Sequence, residues 1–421
     1  MKRYAMRKRL KKVIGYIHLW LGLAAGIVIF VSMLGASIFV WERELTDWYY
    51  KDLLFCDEVG TQQLPISQLH HNVVAAYPGI EFTFLDVEND PTRNFSWGSY
   101  QSAENPGWTW FSGIEHYVLV YVNPYTGEVV GQIDRKADWI TMSRFLHQTL
   151  LLQYDIGEEI VGAATLIMIV MAISGLVLWW PKNRKVLSQR LKVRWKASFK
   201  RVNWDLHSVG GFYTYLLIFF FATTGLVWSY TWWSNGIYQL MGSDPSTVFE
   251  SPDLPEIASG QHLRGMDIAF VDAVRRQPLW DRLYFGIPKA EAEEGRISAY
   301  IYYNDPDSWW STSEEHQYNA ETGHQYFERL HDDKQLGEKW RNSNYDLHVG
   351  SIYGLPTKII ACLSALFFAI LPISGFLIWW GRKKKASFSK KVEVQPRRAA
   401  PAQKPVIRSK REEQDLMPAD R

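Results

Sequence analysis

Four long apolar windows constrain this 421-residue chain more than any other feature of its sequence. Each window meets the roughly 20 residues that an α-helix needs to cross a bilayer. They run from about Val13 to Trp41, Ile160 to Trp180, Gly210 to Trp233 and Leu355 to Trp380. The first is too long for the apolar core of a cleaved signal, and no small-x-small cleavage site precedes "WERE" at 41–44. The sequence therefore predicts an α-helical membrane protein with four transmembrane helices.

Basic residues are concentrated outside these windows in three segments, residues 2–12, 182–201 and the tail from 382, which hold 29 of the 46 lysines and arginines. Because basic residues resist translocation, these segments and both termini are predicted to lie in the cytoplasm. The long segments 42–155 and 234–350 carry most of the 44 acidic residues and are predicted to lie outside. The net charge of +2 is thus the sum of two opposed compartments, which implies a lipid bilayer and no nucleic acid as partner.

The sequence also repeats itself. "ISGLVLWWP" (173–181) returns as "ISGFLIWWG" (373–381), and "YVNPYTGEVVG" (121–131) is answered by "QYNAETGHQYF" (317–327). "IHLWLG" (17–22) aligns more loosely with "LHSVGG" (206–211), and "FLHQTLLLQYDIG" (145–157) with "DLHVGSIYGLP" (346–356). Two copies in the same orientation predict parallel repeats about a pseudo-two-fold axis along the membrane normal.

Each external segment begins with a candidate amphipathic helix, "ISQLHHNVVAAYPG" (66–79) or "MDIAFVDAVRRQP" (266–278). Strands and a Thr-Gly hairpin follow, so each segment predicts a small α+β domain. The predicted organisation is an N-terminus with the first helix (1–41), an external domain (42–155), the second helix (156–181), a basic loop (182–205), the third helix (206–233), a second external domain (234–354), the fourth helix (355–381) and a disordered basic tail (382–421).

Four of the eleven histidines lie at span edges. The repeat pairs His18 with His207 on the cytoplasmic side and His147 with His348 on the outer side. A single histidine at a helix end is usually an interfacial residue. Four in two matched pairs carry a desolvation cost that a partner must offset. Since two facing imidazoles are a good axial-ligand set for haem iron, the sequence predicts two b-type haems, with these four residues as metal ligands.

Other residues near these histidines have two interpretations. Glycines at helical spacing after His18 and His207 leave a low face for a macrocycle, or serve ordinary helix packing: Gly22, Gly26 and Gly211. Arg144 and Arg201 are candidate partners for haem propionates, and Arg201 is also explained by the positive-inside rule. Asp205 and Asp346 are predicted to be helix N-caps or partners of a ring N–H.

Several other chemistries lack their motifs. The two cysteines, Cys56 and Cys362, support no disulfide framework, zinc ribbon or four-cysteine iron–sulfur cluster. Neither C-x-x-C-H nor H-E-x-x-H occurs. The remaining histidines are predicted to be solvated surface residues: His70, His71, His116, His262, His316, His324 and His331. Five tryptophans are predicted in loops, where they contact a flat chelate or serve as packing and interface residues: Trp97, Trp108, Trp110, Trp309 and Trp310.

The ordered motifs "IHLWLGL", "VNPYTGEVV", "FLHQTLLL", "ISGLVLWWP", "WDLHSVGG" and "DLHVGSIYGLP" resemble the PepSY-associated transmembrane family from about residue 10 to 382. This resemblance implies iron-regulated inner-membrane proteins with four spans and two PepSY-like periplasmic domains. In the ferric-siderophore reductase branch it implies two b-type haems that carry electrons across the membrane. Some relatives carry a fused flavin-reductase domain, whereas this sequence shows no G-x-G-x-x-G in a strand–helix context.

The leading functional prediction is an electron-transfer oxidoreductase that reduces periplasmic ferric siderophores, with electrons from a separate quinol or cytosolic reductase and no flavin or nicotinamide domain on this chain. The alternative is a haem-free PepSY protein whose periplasmic domains bind peptide or regulate a peptidase. A transporter is less favoured because the spans contain few charges.

Overall fold

The computed structural model describes residues 2–181, 183–247, 264–289 and 295–393. Its strands are β1 (Phe84–Glu88), β2 (Phe95–Ser102), β3 (Ile114–Val122), β4 (Val129–Asp134), β5 (Trp280–Gly286), β6 (Arg296–Tyr303), β7 (Thr312–Asn319) and β8 (Gln325–Arg329). Its helices are α1 (Lys2–Phe39), α2 (Glu42–Tyr49), α3 (Lys51–Leu54), α4 (Ile66–Ala76), α5 (Trp110–Gly113), α6 (Trp139–Thr149), α7 (Tyr154–Trp179), α8 (Arg184–Arg190), α9 (Phe199–Asp205), α10 (Gly211–Ser229), α11 (Thr231–Leu240), α12 (Met266–Arg276), α13 (Leu336–Val349) and α14 (Leu355–Glu393).

Four helical segments are long and apolar enough to cross a membrane, which confirms the prediction of a membrane protein with four spans. They are Lys8–Phe39, Tyr154–Trp179, Phe199–Ser229 and Leu355–Lys383. The third span begins earlier than the predicted Gly210, because α9 continues into α10 through a π-helical turn, Leu206–Gly210. It ends at Ser229, since Tyr230 is extended and α11 is a separate helix. Of the predicted tail, residues 394–421 lie outside the described residues.

One compact unit contains residues 1–378, and a second unit begins at Trp379, whose described residues continue α14 to Glu393. The first unit contains an eight-stranded antiparallel sheet with the order β4-β3-β2-β1-β5-β6-β7-β8. The strands of both external segments therefore form one sheet, joined where β1 pairs with β5 and Leu85 lies opposite Phe285. The sequence predicts two separate α+β domains. It does not predict the pairing of β1 with β5, because local patterns do not show which distant strands pair.

The sheet buries one face because its strands alternate apolar and polar residues. Leu283 and Phe285 on β5 are fully buried, whereas Arg282 and Tyr284 point to the opposite face. Helices α4 and α12 supply the other half of this core, as their predicted amphipathic pattern indicates. The prediction that Trp97 lies in a loop is wrong. Trp97 lies on β2 with its side chain completely buried. The strand was not recognised in the sequence because the burial pattern of β2 does not alternate.

The two predicted Thr-Gly hairpins are confirmed as β3–β4 and β7–β8. In each turn one asparagine Oδ1 accepts two backbone N–H groups, Asn123 from residues 125 and 126 and Asn319 from residues 321 and 322. Gly127 and Gly323 have φ values of +76° and +73°, which glycine adopts without strain. The same side chain thus performs the same task in both hairpins.

Ion pairs connect the sheet to one end of the helical bundle. Helix α2, directly after the first span, pairs Asp47 with Arg93 at 2.7 Å and Glu42 with Arg135 at 2.8 Å. Both arginines are largely buried, so these pairs are shielded from solvent. At the start of α14, Lys358 pairs with Glu44 of α2 at 2.6 Å. Helix α2 therefore fixes the sheet above the end of the bundle that carries α6 and α13.

Several side chains in the sheet layer differ from their predicted exposure. His70, His316 and His331 are buried, so the prediction of solvated histidines is wrong for these three; His316 hydrogen-bonds to Gln325 and Glu314 within the sheet. Trp110, predicted in a loop, begins α5 instead; it is buried and stacks on Phe145 with a centroid distance of 3.7 Å, as in the packing alternative. Trp108 and Trp309 are exposed. His262 lies outside the described residues.

Candidate functional site

The structure brings the four membrane-edge histidines together in the two pairs that the sequence predicts. His18 on α1 faces His207, which lies in the π-helical turn, with ring centroids 6.3 Å apart. His147 on α6 faces His348 on α13 with a centroid distance of 6.0 Å. The ring planes differ between the pairs: the first is nearly perpendicular at 85°, and the second is close to parallel at 27°. We call them the inner pair and the outer pair, the outer one being nearer the sheet.

Every ring is held through Nδ1 by a hydroxyl group from a neighbouring helix. The Nδ1–oxygen distances are 2.8 Å for His18 and Ser174, 2.8 Å for His207 and Ser374, 2.9 Å for His147 and Ser32, and 2.9 Å for His348 and Thr224. Each hydroxyl belongs to the same half of the chain as its histidine. Within each pair, one ring comes from each half of the chain, so the two halves face each other there through the rings. These four hydroxyls were not predicted from the sequence, although two of them lie in its strongest repeat, "ISG" at 173–175 and 373–375.

The hydroxyl groups also determine which ring nitrogen carries the proton. Each hydroxyl donates its proton to a backbone carbonyl oxygen. The distances are 3.2 Å from Ser174 to Met171, 2.9 Å from Ser374 to Leu371, 2.8 Å from Ser32 to His147 and 2.9 Å from Thr224 to Phe220. A hydroxyl has one proton, so each must accept its second hydrogen bond from Nδ1–H. This arrangement assigns the Nδ1–H tautomer to all four rings. In the part of the chain that the structure describes, Nε2 of each ring keeps its lone pair without a protein partner.

Glycine allows the histidine rings to lie directly on a helix backbone. A Cβ atom at Gly175 or Gly375 would lie 3.3 Å from Cε1 of His18 or His207, and one at Gly225 would lie 3.1 Å from Cε1 of His348. Each of these glycines follows the hydroxyl residue that bonds the same ring. A hydroxyl residue followed by glycine therefore supports three of the four rings. The fourth departs from this pattern, since Ser32 is followed by Met33.

The ring separations suit a metal ion between each pair. With metal–nitrogen distances of about 2 Å, and about 1 Å from each nitrogen to its ring centroid, a metal held between two opposed imidazoles places the centroids about 6 Å apart. The observed 6.3 and 6.0 Å agree with this spacing. Among the described residues, no group of three or more His, Cys, Asp or Glu side chains is placed to hold a metal ion. Each pair therefore offers two histidine nitrogens and, among the described residues, no third side chain of these types.

Apolar surroundings keep the outer pair neutral. Trp228 and Phe221 contact His348 with centroid distances of 5.3 and 5.9 Å. Burial lowers the pKa of His147 to about 4 and that of His348 to about 3, with the neighbouring His147 lowering the latter further. Neutral imidazoles are the form that binds a metal. The outer pair is therefore in its ligand form throughout the physiological pH range.

Two arginines near the outer pair have no carboxylate partner among the described residues. Arg144, singled out from the sequence, has a buried Nε without a hydrogen bond, and its guanidinium lies 5.7 Å from the ring of Phe145. Arg341, which the sequence analysis missed, lies 5.6 Å above the ring of Trp228. Burial lowers the pKa of Arg341. Two partly desolvated cations on α6 and α13 form an environment that favours an anionic group.

Three charged residues near the histidine pairs are engaged in contacts of their own. Arg201 forms an ion pair with the buried Asp205 at 2.8 Å, so its guanidinium is already engaged. Asp205 also accepts the backbone N–H of Arg194. Asp346 lies inside α13 and accepts hydrogen bonds from Ser311 and Ser351. The prediction that these aspartates cap helices or bind a ring N–H is therefore wrong, because hydroxyl groups occupy Nδ1.

The three glycines predicted to leave room for a macrocycle lie in different surroundings. A Cβ at Gly22 would lie 2.7 Å from Cε of Met171, and one at Gly26 would lie 3.2 Å from Pro372. Both positions are thus close helix–helix contacts, as in the packing alternative. Gly211, by contrast, has no atom within 4 Å of an added Cβ among the described residues. Of the three, only Gly211 borders open space.

A bundle of four membrane-spanning helices, joined to an antiparallel sheet at one end, defines a membrane protein with two opposed histidine pairs between its helices. The family model described as the PepSY-associated TM region matches residues 16–382, which include all four histidines. The chain belongs to this family. No curated protein matches the chain.

Proposed function

We propose that this protein is a dihaem electron-transfer protein of the bacterial inner membrane that reduces ferric siderophores or related ferric chelates for iron uptake. One observation carries the proposal: two histidine pairs, each about 6 Å between ring centroids, present four Nε2 lone pairs without protein partners in the described structure. A b-type haem bound at each pair would supply a one-electron ferric/ferrous couple. Opposed neutral imidazoles with fixed tautomers match the axial donors that such a group requires.

The charge distribution supports an orientation. The three basic segments predict a cytoplasmic location for the inner pair and for both termini. The sheet then lies in the periplasm above the outer pair. Under this arrangement the two external segments are PepSY-like halves, and the hydroxyl–histidine contacts within each half support two parallel repeats. Electrons enter at the basic end and leave beneath the sheet.

Two pairs suit the thickness of the membrane. On α1, fourteen residues separate His18 from Ser32, the hydroxyl that holds His147, which corresponds to about 21 Å along a helix axis. A hydrocarbon core is about 30 Å thick. Dividing the crossing between two redox centres therefore shortens each electron transfer. The π-helical turn contributes by setting the direction in which His207 projects.

Two arginines near the outer pair support the proposed haem at that pair. Haem propionates are anionic, and Arg144 and Arg341 are the cations near the outer pair that lack carboxylate partners in the described structure. If a haem binds at the outer pair, these two arginines would hold its propionates. Arg201, engaged by Asp205, is a weaker candidate at the inner pair.

The proposed reaction needs a separate electron donor, a quinol or a cytosolic reductase. Oxidation of one quinol to quinone releases two electrons and two protons, and each electron reduces one Fe(III) chelate to its Fe(II) form. The bonds from hard oxygen donors to iron weaken on reduction, which labilises the metal. In this proposal the chain supplies the histidine ligands, holds their rings in fixed positions and surrounds them with apolar side chains.

The proposal is tested by pyridine-haemochrome analysis of protein purified from cells with adequate haem, followed by reoxidation kinetics. We expect about two b-type haems per chain and six-coordinate spectra. In proteoliposomes with the sheet side outward, the dithionite-reduced protein should be reoxidised by external ferric siderophores faster than by iron-free buffer. Absence of haem would refute the proposal. Reoxidation at the buffer rate across several chelates would leave an electron carrier with another acceptor.

Removal of a supporting hydroxyl should alter one centre alone. In Ser174→Ala, His18 loses the acceptor for its Nδ1–H, which makes the imidazole a weaker donor and less favourable to the ferric state. We expect an upward shift in the midpoint potential of one haem and about ten-fold weaker haem retention at that site. Spectroelectrochemical titration would measure both. Ser364→Ala is the matched control, because Ser364 donates to the Ile360 carbonyl and, among the described residues, contacts no histidine nitrogen; an equal shift in both variants would contradict the assignment.

A further inference from the structure

Phenylalanine rings connect the two histidine pairs in the second half of the chain. Phe221 of α10 contacts His348 of the outer pair with a centroid distance of 5.9 Å, and the two rings are nearly perpendicular. Phe221 also contacts Phe368 of α14 at 6.3 Å. Phe367, the residue before Phe368, lies against the π-helical turn that carries His207. We call these three residues the phenylalanine column, since their contacts and one step of α14 backbone run from one pair to the other.

A glycine allows the inner end of the phenylalanine column to reach the π-helical turn. Gly210 belongs to this turn and follows His207 by three residues. A Cβ atom at Gly210 would overlap the ring of Phe367, so the ring lies directly on the backbone. The Gly211 N–H closes the turn by donating to the carbonyl oxygen of His207. Phe367 therefore contacts the same short piece of backbone that positions the inner ligand.

The phenylalanine column lies between the hydroxyl residues that hold the two rings of this half. On α14, Phe368 precedes Ser374, which bonds His207, by six residues or about 9 Å along the helix axis. On α10, Phe221 precedes Thr224 of the outer pair by three residues. The side chain of Phe368 is almost completely buried. The column thus crosses the interior of the bundle between the inner and the outer pair.

The equivalent positions in the first half of the chain are not aromatic. Counted from the two "ISG" repeats, Met168 on α7 takes the place of Phe368. Ile29 on α1 precedes the hydroxyl residue of the outer pair by three residues, as Phe221 does on α10. Both Ile29 and Met168 belong to one apolar cluster, which also contains Ala25, Val28, Met33, Ala164 and Ile167. The two halves therefore fill corresponding space with rings in one case and saturated side chains in the other.

This difference matters for an electron that crosses the bundle. Electron tunnelling weakens more steeply across a gap than through atoms in contact, and closely packed side chains leave few gaps. A phenyl ring also has low-lying π orbitals, which a saturated side chain lacks. A series of rings in contact therefore couples two distant centres better than the aliphatic cluster of the other half.

We propose that Phe221, Phe367 and Phe368 form the route by which electrons pass from the inner to the outer histidine pair. The inference rests on the proposed function and deepens it by assigning the path between its two centres. The step moves one electron from a ferrous haem at the inner pair to a ferric haem at the outer pair. No bond or proton changes in the phenylalanines, which couple the two centres without being oxidised.

The test measures transfer between the centres separately from the delivery of electrons. Full-length protein in proteoliposomes with its basic end outward is mixed with dithionite, which does not cross the bilayer and reaches the inner centre first. Stopped-flow absorbance follows reduction of the outer haem at dithionite concentrations where its rate no longer rises. We expect Phe221→Leu and Phe368→Leu each to slow this rate several-fold, because leucine is too short to keep the ring contacts. Phe221→Tyr keeps the ring and should retain the rate.

The internal repeat supplies matched controls. Ile29→Ala and Met168→Ala change the corresponding positions of the first half and should leave the rate of outer-haem reduction unchanged. Haem content and both midpoint potentials should stay at the wild-type values in all five variants, because every histidine and its supporting hydroxyl is retained. These two readouts would move if the phenylalanines only supported the ligands.

Four outcomes would overturn the route or its basis. A wild-type rate in both leucine variants, with two haems present, would reject the route and leave the electron-transfer proposal standing. Equal slowing in the leucine variants and in the two controls would show that packing anywhere in the bundle sets the rate. Lost haem or shifted potentials in the leucine variants would assign the rings to ligand support instead. Wild-type protein without haem would reject the proposed function, and the route with it.

Discussion

Replacement of His18 or His207 by alanine should remove the same haem and lower the content from about two to about one per chain. Both imidazoles are needed because their rings face each other at 6.3 Å, and the helix-bound ring that remains offers one axial ligand only. His147→Ala and His348→Ala should likewise remove the other haem. Haemochrome analysis with redox-difference spectra would identify which centre is lost in each variant.

The matched control is His71→Ala, which changes an exposed histidine on α4 outside both pairs and should retain both haems. Size-exclusion profiles equal to wild type would exclude general unfolding. A shared spectral loss in His18→Ala and His147→Ala, with a different loss in His207→Ala, would contradict the pairing.

On the acceptor side, His348→Ala should abolish reoxidation by external ferric chelates while the inner haem stays reducible.

If each pair binds a haem, as proposed, the two ferric haems should give different electron paramagnetic resonance spectra, although each pair supplies two histidine ligands. Each imidazole interacts by π-donation with one of two iron d orbitals, chosen by its ring plane. Near-parallel rings, at 27° in the outer pair, raise the same orbital and separate the two levels. Perpendicular rings, at 85° in the inner pair, raise both and leave them nearly degenerate. We therefore expect a rhombic low-spin signal from the outer centre and a highly anisotropic one from the inner centre.

Variants assign these signals. The highly anisotropic signal should vanish in His18→Ala and persist in His348→Ala, and the rhombic signal should behave in the opposite way. Ser374→Ala, which releases the Nδ1 side of His207, should broaden the anisotropic signal only. Two identical spectra in wild-type protein would show that the imidazole rings rotate when haem binds. The angle between the ring planes would then no longer explain a difference between the two haems.

The membrane spans were predictable because the bilayer is a uniform apolar solvent that imposes a length on any helix crossing it. Their boundaries shifted where local geometry intervened, as at the π-helical turn that carries His207. The Thr-Gly hairpins were predictable for a similar reason, since the turn conformation depends on a few adjacent residues. The buried Trp97 and His316 escaped prediction because burial in a sheet depends on the strands and helices that cover it.

The sequence by itself determined four spans, two hairpins and, through its internal repeat, which histidines face each other. Only the tertiary structure decided what supports those histidines. Ser174 lies 156 residues from His18, and Thr224 lies 124 residues from His348, so their hydrogen bonds depend on which helices pack and at what rotation. The joining of β1 to β5 and the angles between ring planes have the same origin. Local patterns specify an element and its buried side, whereas partners distant in sequence are selected by packing.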